Sequence, residues 1–373
     1  MGRESGQGGK FSLAQSLKKA GNSFSGTAIT LVLVLFFSSI LILCTGTNPV
    51  EAFGQILIGA LGSKRMLGET LVMMCPLLLT GLGLTITFRS GLSSVGAEGQ
   101  IIIGGVACAV AALSMGSSVP SFLAIPLCLL AGGLGGAIWA AVPGFLKAKM
   151  GTSELVNTVM MNYIATFFLS WMLTDVIKDP EGYYPQSALV PDNTQIPTMM
   201  SGSRAHWGII LALVLAFLVY WLLWRTPLGY QLRVVGYNRN AAQYVGIPIQ
   251  RNIVLSMAMH GFFSGLAGAV EILAVQYRCI TGFSNNVGFD GIAVSLLGKN
   301  HPAGVIISSF TLAALRSGSG NMQRTLQVPT SLVSVMQGLI ICLVLMDHYF
   351  KDKLIVLIQR IRTKRNGGKG AAA

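Results

Sequence analysis

The sequence predicts an all-α membrane protein of about ten transmembrane helices, arranged as two inverted halves with both termini cytoplasmic. Three observations predict it. Hydrophobic residues make up 52% of the 373 and charged ones only 10%, against about 25% charged in soluble domains. Such a chain cannot cover its surface with charge, so its solvent must be largely lipid. Apolar runs recur along the whole length, and no polar stretch between them is long enough to fold separately. Finally, Gly91–Gly105, GLSSVGAEGQIIIGG, returns as Gly282–Gly298, GFSNNVGFDGIAVSLLG, so that VGAEG lines up with VGFDG. Two Gly-broken hydrophobic segments at matching places in two halves point to a transport pathway at a repeat interface.

Taken in order, residues 1–26 form a polar, Gly/Ser-rich, basic cytoplasmic tail, with an interfacial helix predicted around Phe11–Ala20. The first apolar run ends LILCTG at Cys44, but Leu43 stands where a lipoprotein cleavage site needs a small residue, so an uncleaved first span is expected. Residues 27–348 then make one transmembrane domain. Its spans are placed near 27–45, 67–88, 97–114, 122–142, 153–177, 207–224, 253–276, 287–298, 301–316 and 330–348, measured against the roughly 20 residues needed to cross hydrocarbon. The runs 287–298 and 301–316 are too short to cross as straight helices, which predicts a bent or re-entrant region. Val50–Leu61 is amphipathic and suits the outer surface. The Pro-punctuated stretch 178–206 reads as an outer loop. The inner loop 225–251 alternates helix formers with Gly229, Gly236 and Gly246, which predicts short helices, such as Asn238–Tyr244, on a docking surface. The tail 349–373 is basic and suits anionic lipid.

Charge fixes the orientation. The inner loops and tails hold 19 of the 26 Lys and Arg, and the outer segments hold Lys64, Arg65, Lys178, Arg204, Arg278, Arg316 and Arg324. This positive-inside bias puts both ends in the cytoplasm. It also explains the net charge of +13 without nucleic acid. The repeat copies open the third and eighth spans, and an odd offset of five reverses the direction of crossing. A looser echo, GTSELVNTVM (Gly151–Met160) against VPTSLVSVM (Val328–Met336), enters the fifth and tenth. Spans 2–5 and 7–10 are therefore the inverted halves.

Few residues could carry chemistry. There is no Gly-x-x-x-x-Gly-Lys-Ser/Thr loop, so this chain does not hold ATP as P-loop proteins do. The six cysteines are scattered, without C-x-x-C, and read as packing residues. Glu98, Asp290, His260 and Glu271 are ionisable groups within apolar runs, functional hypotheses by default. Glu98 lies beside Gly96 and Gly99, and Asp290 beside Gly288 and Gly291. Each suits the capping of a broken helix better than ion coupling. His260 and Glu271, eleven residues apart, share a helix face but lack a third ligand for a metal. In the fifth span, Glu154, Asn157, Met161 and Asn162 form a polar and thioether stripe, echoed by Ser331, Ser334 and Gln337 in the tenth. Amides both donate and accept, which suits a polyhydroxylated or base-bearing neutral solute. The same amides also suit helix-to-helix contacts.

Four motifs, in this order, carry a family likeness: TGLGLTITFRSGLSSVGAEGQ (Thr80–Gln100), ELVNTVMMNYIA (Glu154–Ala165), TPLGYQLRVVGYNRNAAQYVGI (Thr226–Ile247) and GFDGIAVSLLGKNHPAG (Gly288–Gly304). Over most of 27–348 the chain resembles the permease subunit of ATP-binding-cassette importers. The branch is that of simple sugars and nucleosides, related to ribose and branched-chain amino-acid permeases. The family's Asn-Ile-Gly-Ala-Glu-Gly-Gln-type motif maps to Val95–Gln100, with Ser93–Ser94 where an Asn-containing pair is common. The resemblance implies a subunit that is not itself an enzyme, in a bacterial cytoplasmic membrane. It would pair with a second permease, a cytoplasmic ATPase that binds the ATP and Mg, and an extracytoplasmic solute-binding protein or lipoprotein. It assigns ATPase coupling to Pro227–Ile247, here Gly236, Asn238, Ala241, Ala242, Tyr244 and Gly246. A nucleoside is the expected solute, a simple sugar the close competitor, and an ion-coupled carrier the rival of another class.

Overall fold

The structure is a computed structural model that describes residues 36–329 except 181 and 201, together with 331, 332, 334–336, 338 and 339. The described residues are helical, with isolated bridges in place of strands. They fall into a large compact unit, Gly54–Thr325, and a smaller one drawn from residues before and after it.

From residue 49 to residue 326 the helices are, in order, α1 (Pro49–Leu61), α2 (Lys64–Arg89), α3 (Ala97–Met115), α4 (Ser121–Met150), α5 (Glu154–Trp171), α6 (Gly208–Arg225), α7 (Pro227–Tyr237), α8 (Arg239–Tyr244), α9 (Ile249–Glu271), α10 (Val287–Leu297) and α11 (Pro302–Leu326). Five-residue π-helical turns extend α5 to Val176 and α9 to Gln276. Six of these helices are long and apolar enough to cross a membrane: α2, α3, α4, α5, α6 and α9. The predicted first and tenth spans lie partly outside the described residues. The predicted run 287–298 is the short α10, and the run predicted to end at 316 continues as helix to Leu326. Hydropathy alone stops that run at Arg316. The helix goes on because its polar end finds partners: Asn321 donates to the Gln55 carbonyl and to its Oε1 at 3.1 and 3.0 Å, while Gly318 lies against Ile56.

The core of the large unit is α2 and α9, with α3 and α4 beside them. Small residues allow this. A side chain on Gly104 of α3 would run into the Gly265 backbone, and one on Gly265 into Gly132 and Gly136 of α4. Three helices thus meet backbone to backbone through small-residue spacing, the packing that stabilises helices in lipid. By contrast α5 and α6 expose apolar faces, among them Val156, Tyr163, Ile164, Phe167 and Trp171, and Phe217 and Trp221.

Loops gather at two ends. At one end lie Arg89, Gly91, α7, α8 and the turn Lys299–His301: Arg89 Nε donates to the Asn300 carbonyl at 2.8 Å, and Gly236 touches Arg89 and Gly91. At the other end, Asn193 Nδ2 donates to the carbonyls of Gly116 and Val119 at 3.0 and 2.6 Å. Ser187 and Val190 there pair with Cys279 and Tyr277. The Pro-rich stretch predicted as a loop is a loop, with a single 3-10 turn, Asp192–Thr194, among its described residues.

Candidate functional site, a meeting of the two repeat copies

The two repeat copies lie against each other. α3 starts at Ala97 and places Glu98 in its first turn; α10 starts at Val287 and presents Gly288 in its own. Glu98 is buried, and both its oxygens reach the other copy: Oε1 accepts from Ser284 Oγ at 2.5 Å, and Oε2 accepts from the Gly288 N–H at 2.8 Å. The acid of the first copy thus satisfies the open N-terminus of the helix in the second, where the helix dipole favours negative charge. Gly288 is required by this contact, because a Cβ there would collide with the backbone nitrogen and Cα of Glu98.

The matching acid does something else. Asp290 is ion-paired with Arg316 of α11, which also donates to the Asn285 carbonyl at 3.4 Å. The N-terminus of α3 is served by an amide instead. Asn162 Oδ1 accepts from the Gly99 N–H at 2.9 Å, and its Nδ2 donates to the Val95 carbonyl at 2.9 Å. Gly96, the residue before α3, packs on Thr158, whose hydroxyl also accepts from the Val95 N–H at 3.2 Å. Gly291 packs on Thr80 of α2.

These bonds sort the fifth-span residues. Thr158, Asn162, Ala165 and Leu169 form the buried face of α5, at helical spacing. Asn162 therefore braces the first copy with both ends of its amide. Asn157 and Met161 are half-buried on the neighbouring face, where Asn157 Nδ2 donates to Thr152 Oγ1 at 2.6 Å. Glu154 pairs with Lys147 at 2.8 Å, tying the start of α5 to the end of α4. Ser334 is exposed and belongs to the smaller unit, and Gln337 lies outside the described residues.

The inner loop folds as two helices. Thr226, the single residue between α6 and α7, donates to the Leu222 carbonyl at 2.6 Å and accepts from the Gly229 N–H at 3.1 Å, which stiffens the joint. Asn238 caps α8 by accepting from the Ala241 N–H at 3.1 Å. Ala242 is fully buried, whereas Tyr237, Tyr244 and Val245 are 81, 92 and 71% exposed. Gly246 takes a positive φ of 76° at the exit. Gly236 lies on the Arg89 carbonyl and Gly91, and Arg239 reaches the Gly91 carbonyl at 3.5 Å. An apolar, aromatic surface thus spans the ends of α7 and α8, and α7 touches the turn that opens the first repeat copy.

The family described as the permease component of branched-chain amino acid transport systems matches residues 66–345. The chain belongs to this family. It is an integral membrane permease component, in keeping with its six apolar helices. The chain is 34% identical over 322 residues to the guanosine ABC transporter permease protein NupP of Bacillus subtilis, covering 85% of this chain and 91% of that one. It is 32% identical over 322 residues to the nucleoside ABC transporter permease protein NupB of Lactococcus lactis, covering 84 and 88%. The glucose ABC transporter permease protein TsgB13 of Haloferax volcanii is 28% identical over 339 residues, covering 88 and 89%.

Within this permease, three side chains escaped the sequence reading. Ser284 sits inside the second copy but has no counterpart acid to mark it. Arg316 reads as an outer flanking charge, although a lone Arg ending the apolar run that follows an acid-bearing segment is a signal for an ion pair. Trp224 carried no signal at all, since one aromatic at a span end is common.

Proposed function

We propose that this permease carries a nucleoside across the cytoplasmic membrane of a bacterium, as the transmembrane subunit of an ATP-driven importer. What carries the reading is the likeness to two nucleoside permeases at 34 and 32% identity along more than four-fifths of the chain. Ten spans are assigned, with 2–5 and 7–10 as inverted halves and both termini in the cytoplasm. The distribution of Lys and Arg and the grouping of loops at two ends support that topology. ATP and Mg belong to a cytoplasmic ATPase that docks on α7 and α8, through the exposed face of Tyr237, Tyr244 and Val245, with Ala242 and Gly236 seating the helices. A second permease and an extracytoplasmic binding protein complete the assembly.

The solute path runs along the half-exposed side of α5, past Asn157 and Met161. Asn162 braces it from behind, and Ser334 and Gln337 hold the corresponding sequence positions in the second half. Solute arrives already selected outside, so the path needs only weak contacts; tight binding there would slow release. A sugar is the second reading, favoured by the 28% identity to a glucose permease. Uptake of labelled guanosine by vesicles carrying the whole complex decides between them. Competition by unlabelled nucleosides but not by glucose or ribose supports the nucleoside. Competition by sugars alone overturns it.

A further inference from the structure

At the end of the molecule that holds α7 and α8, one indole gathers four partners from four segments. Trp224 stands in the last turn of α6. The Arg89 and Arg233 guanidinium carbons lie 5.5 and 5.8 Å from its ring centroid, within cation–π range. Tyr220 stacks on it at 5.4 Å, and the His301 ring lies 4.8 Å away. Arg233 comes from α7, Arg89 from the end of α2, and His301 from the turn between α10 and α11. Trp221, one turn earlier, is 53% exposed and suits the membrane interface, whereas Trp224 is half-buried among cations.

The turn it touches is built to move as one piece. Lys299 and Asn300 both take left-handed φ, 54 and 52°, and their carbonyls accept from Arg89 at 3.4 and 2.8 Å. Asn300 Oδ1 accepts from Ser295 Oγ at 3.0 Å, and Ser295 lies 2.9 Å from Thr85 Oγ1 of α2. α10 runs back from this turn for 11 residues, about 16 Å at the helical rise. Its far end is the N-terminus that Glu98 holds.

We propose that Trp224 is a positioning residue that carries displacement of α7 through the Lys299–Pro302 turn into α10, and so to the Glu98 contact between the repeat copies. Gly236 on Gly91 gives α7 a direct hold on the first copy; Arg233, Trp224 and His301 give it a hold on the second. A single docking helix thereby moves both inverted halves together. Packed groups transmit movement when they shift as rigid bodies and not by bending, and a flat ring packed against two guanidinium groups is such a group. The proposal rests on the reading of α7 as the ATPase-docking helix.

The test uses the whole importer in proteoliposomes and reads solute taken up per ATP hydrolysed. For Trp224→Ala, hydrolysis should stay within twofold of the parent while uptake per ATP falls at least tenfold. Trp224→Phe, which keeps a ring face, should recover more than half, and Trp221→Ala should match the parent. An unchanged ratio in Trp224→Ala overturns the proposal, because a merely structural tryptophan would lower both quantities together. If that variant fails to assemble, Arg233→Gln, which keeps the ring, decides by the same ratio. Spin labels at Tyr230 of α7 and Phe289 of α10 give a second reading that needs no solute. ATP should leave their separation nearly unchanged in the parent, where α10 follows α7, and change it in Trp224→Ala; an equal change in both overturns the route. A pair of complexes that shows this contrast yet takes up no nucleoside refutes the assigned solute and leaves the transmission route standing.

Discussion

At the scale of single residues, Glu98 is the keystone of the repeat contact, and its chemistry makes a sharp prediction. Glu98→Gln keeps the shape but turns one acceptor into a donor facing either Ser284 or the Gly288 N–H. Loss of a charge-assisted bond to a helix N-terminus should cost about 1.5–3 kcal/mol, read as a lowered unfolding temperature in detergent. Gly288→Ala should be worse, because the added carbon meets backbone. If Gln at 98 leaves both stability and uptake untouched, the contact is incidental. Asn162→Leu should likewise cost about 1–3 kcal/mol, since it strands the Val95 carbonyl and the Gly99 N–H. Histidine adds a pH dependence. Burial, helped by Arg204, lowers the His206 pKa from 6.5 to about 4. The native state then refuses a proton that the unfolded chain accepts, so this contribution is intact above pH 6.5 and is lost as pH falls from 6.5 towards 4. Between pH 7.5 and 5 the parent should lose more thermal stability than His206→Gln; an equal loss places the sensitivity elsewhere. An acid between glycines was legible in VGAEG as a capping group. That it caps the other copy's helix was not, because Glu98 and Gly288 are 190 residues apart and no local pattern records which helix end a carboxylate will meet.

Elements tell a similar story. The long apolar helices were legible from hydropathy, mostly within a few residues, since burial in lipid is read directly from composition; α4 runs eight residues past its predicted end, to Met150, through the basic turn Lys147–Lys149. Short helices in the inner loop were legible from Gly spacing, and α8 with its Asn238 cap matches the predicted piece closely. The extension of α11 to Leu326 was not, because RSGSGNMQRTL is polar and becomes helical through Gln55, Ile56 and Asp290, partners distant in sequence. The small-residue crossing of α3, α4 and α9 leads to an overpacking prediction: Gly265→Val should prevent accumulation of folded protein in the membrane, whereas Gly246→Ala, strained only at an exposed exit, should not. In α7 and α8, the pair proposed to dock the ATPase, Ala242→Arg must lodge a charge where a methyl is fully buried. It should leave insertion intact and abolish stimulation of ATP hydrolysis by the assembled permease. Normal stimulation would make α7 and α8 a linker.

For the whole molecule, the short α10 and the longer α3 meet at their N-termini, with the protein's own carboxylate between them. α10 is too short to cross about 30 Å of hydrocarbon, so its start lies inside the membrane, where open backbone groups are costly unless bonded. The Glu98 contact meets that need and ties the two repeat copies together. In the proposed mechanism the ATPase docks on α7, which touches the first copy through Gly236 and the turn after the second through Arg233 and Trp224. The central claim is therefore that ATP, spent by a partner, moves a nucleoside through this chain. Vesicles carrying the purified complex, loaded with ATP on the cytoplasmic side and given labelled guanosine on the other, test it most directly. Uptake should require ATP, survive dissipation of ion gradients, and fall at least tenfold when Asn157 or Met161 is replaced by Trp. Uptake that persists without ATP and collapses with an ionophore would contradict the account.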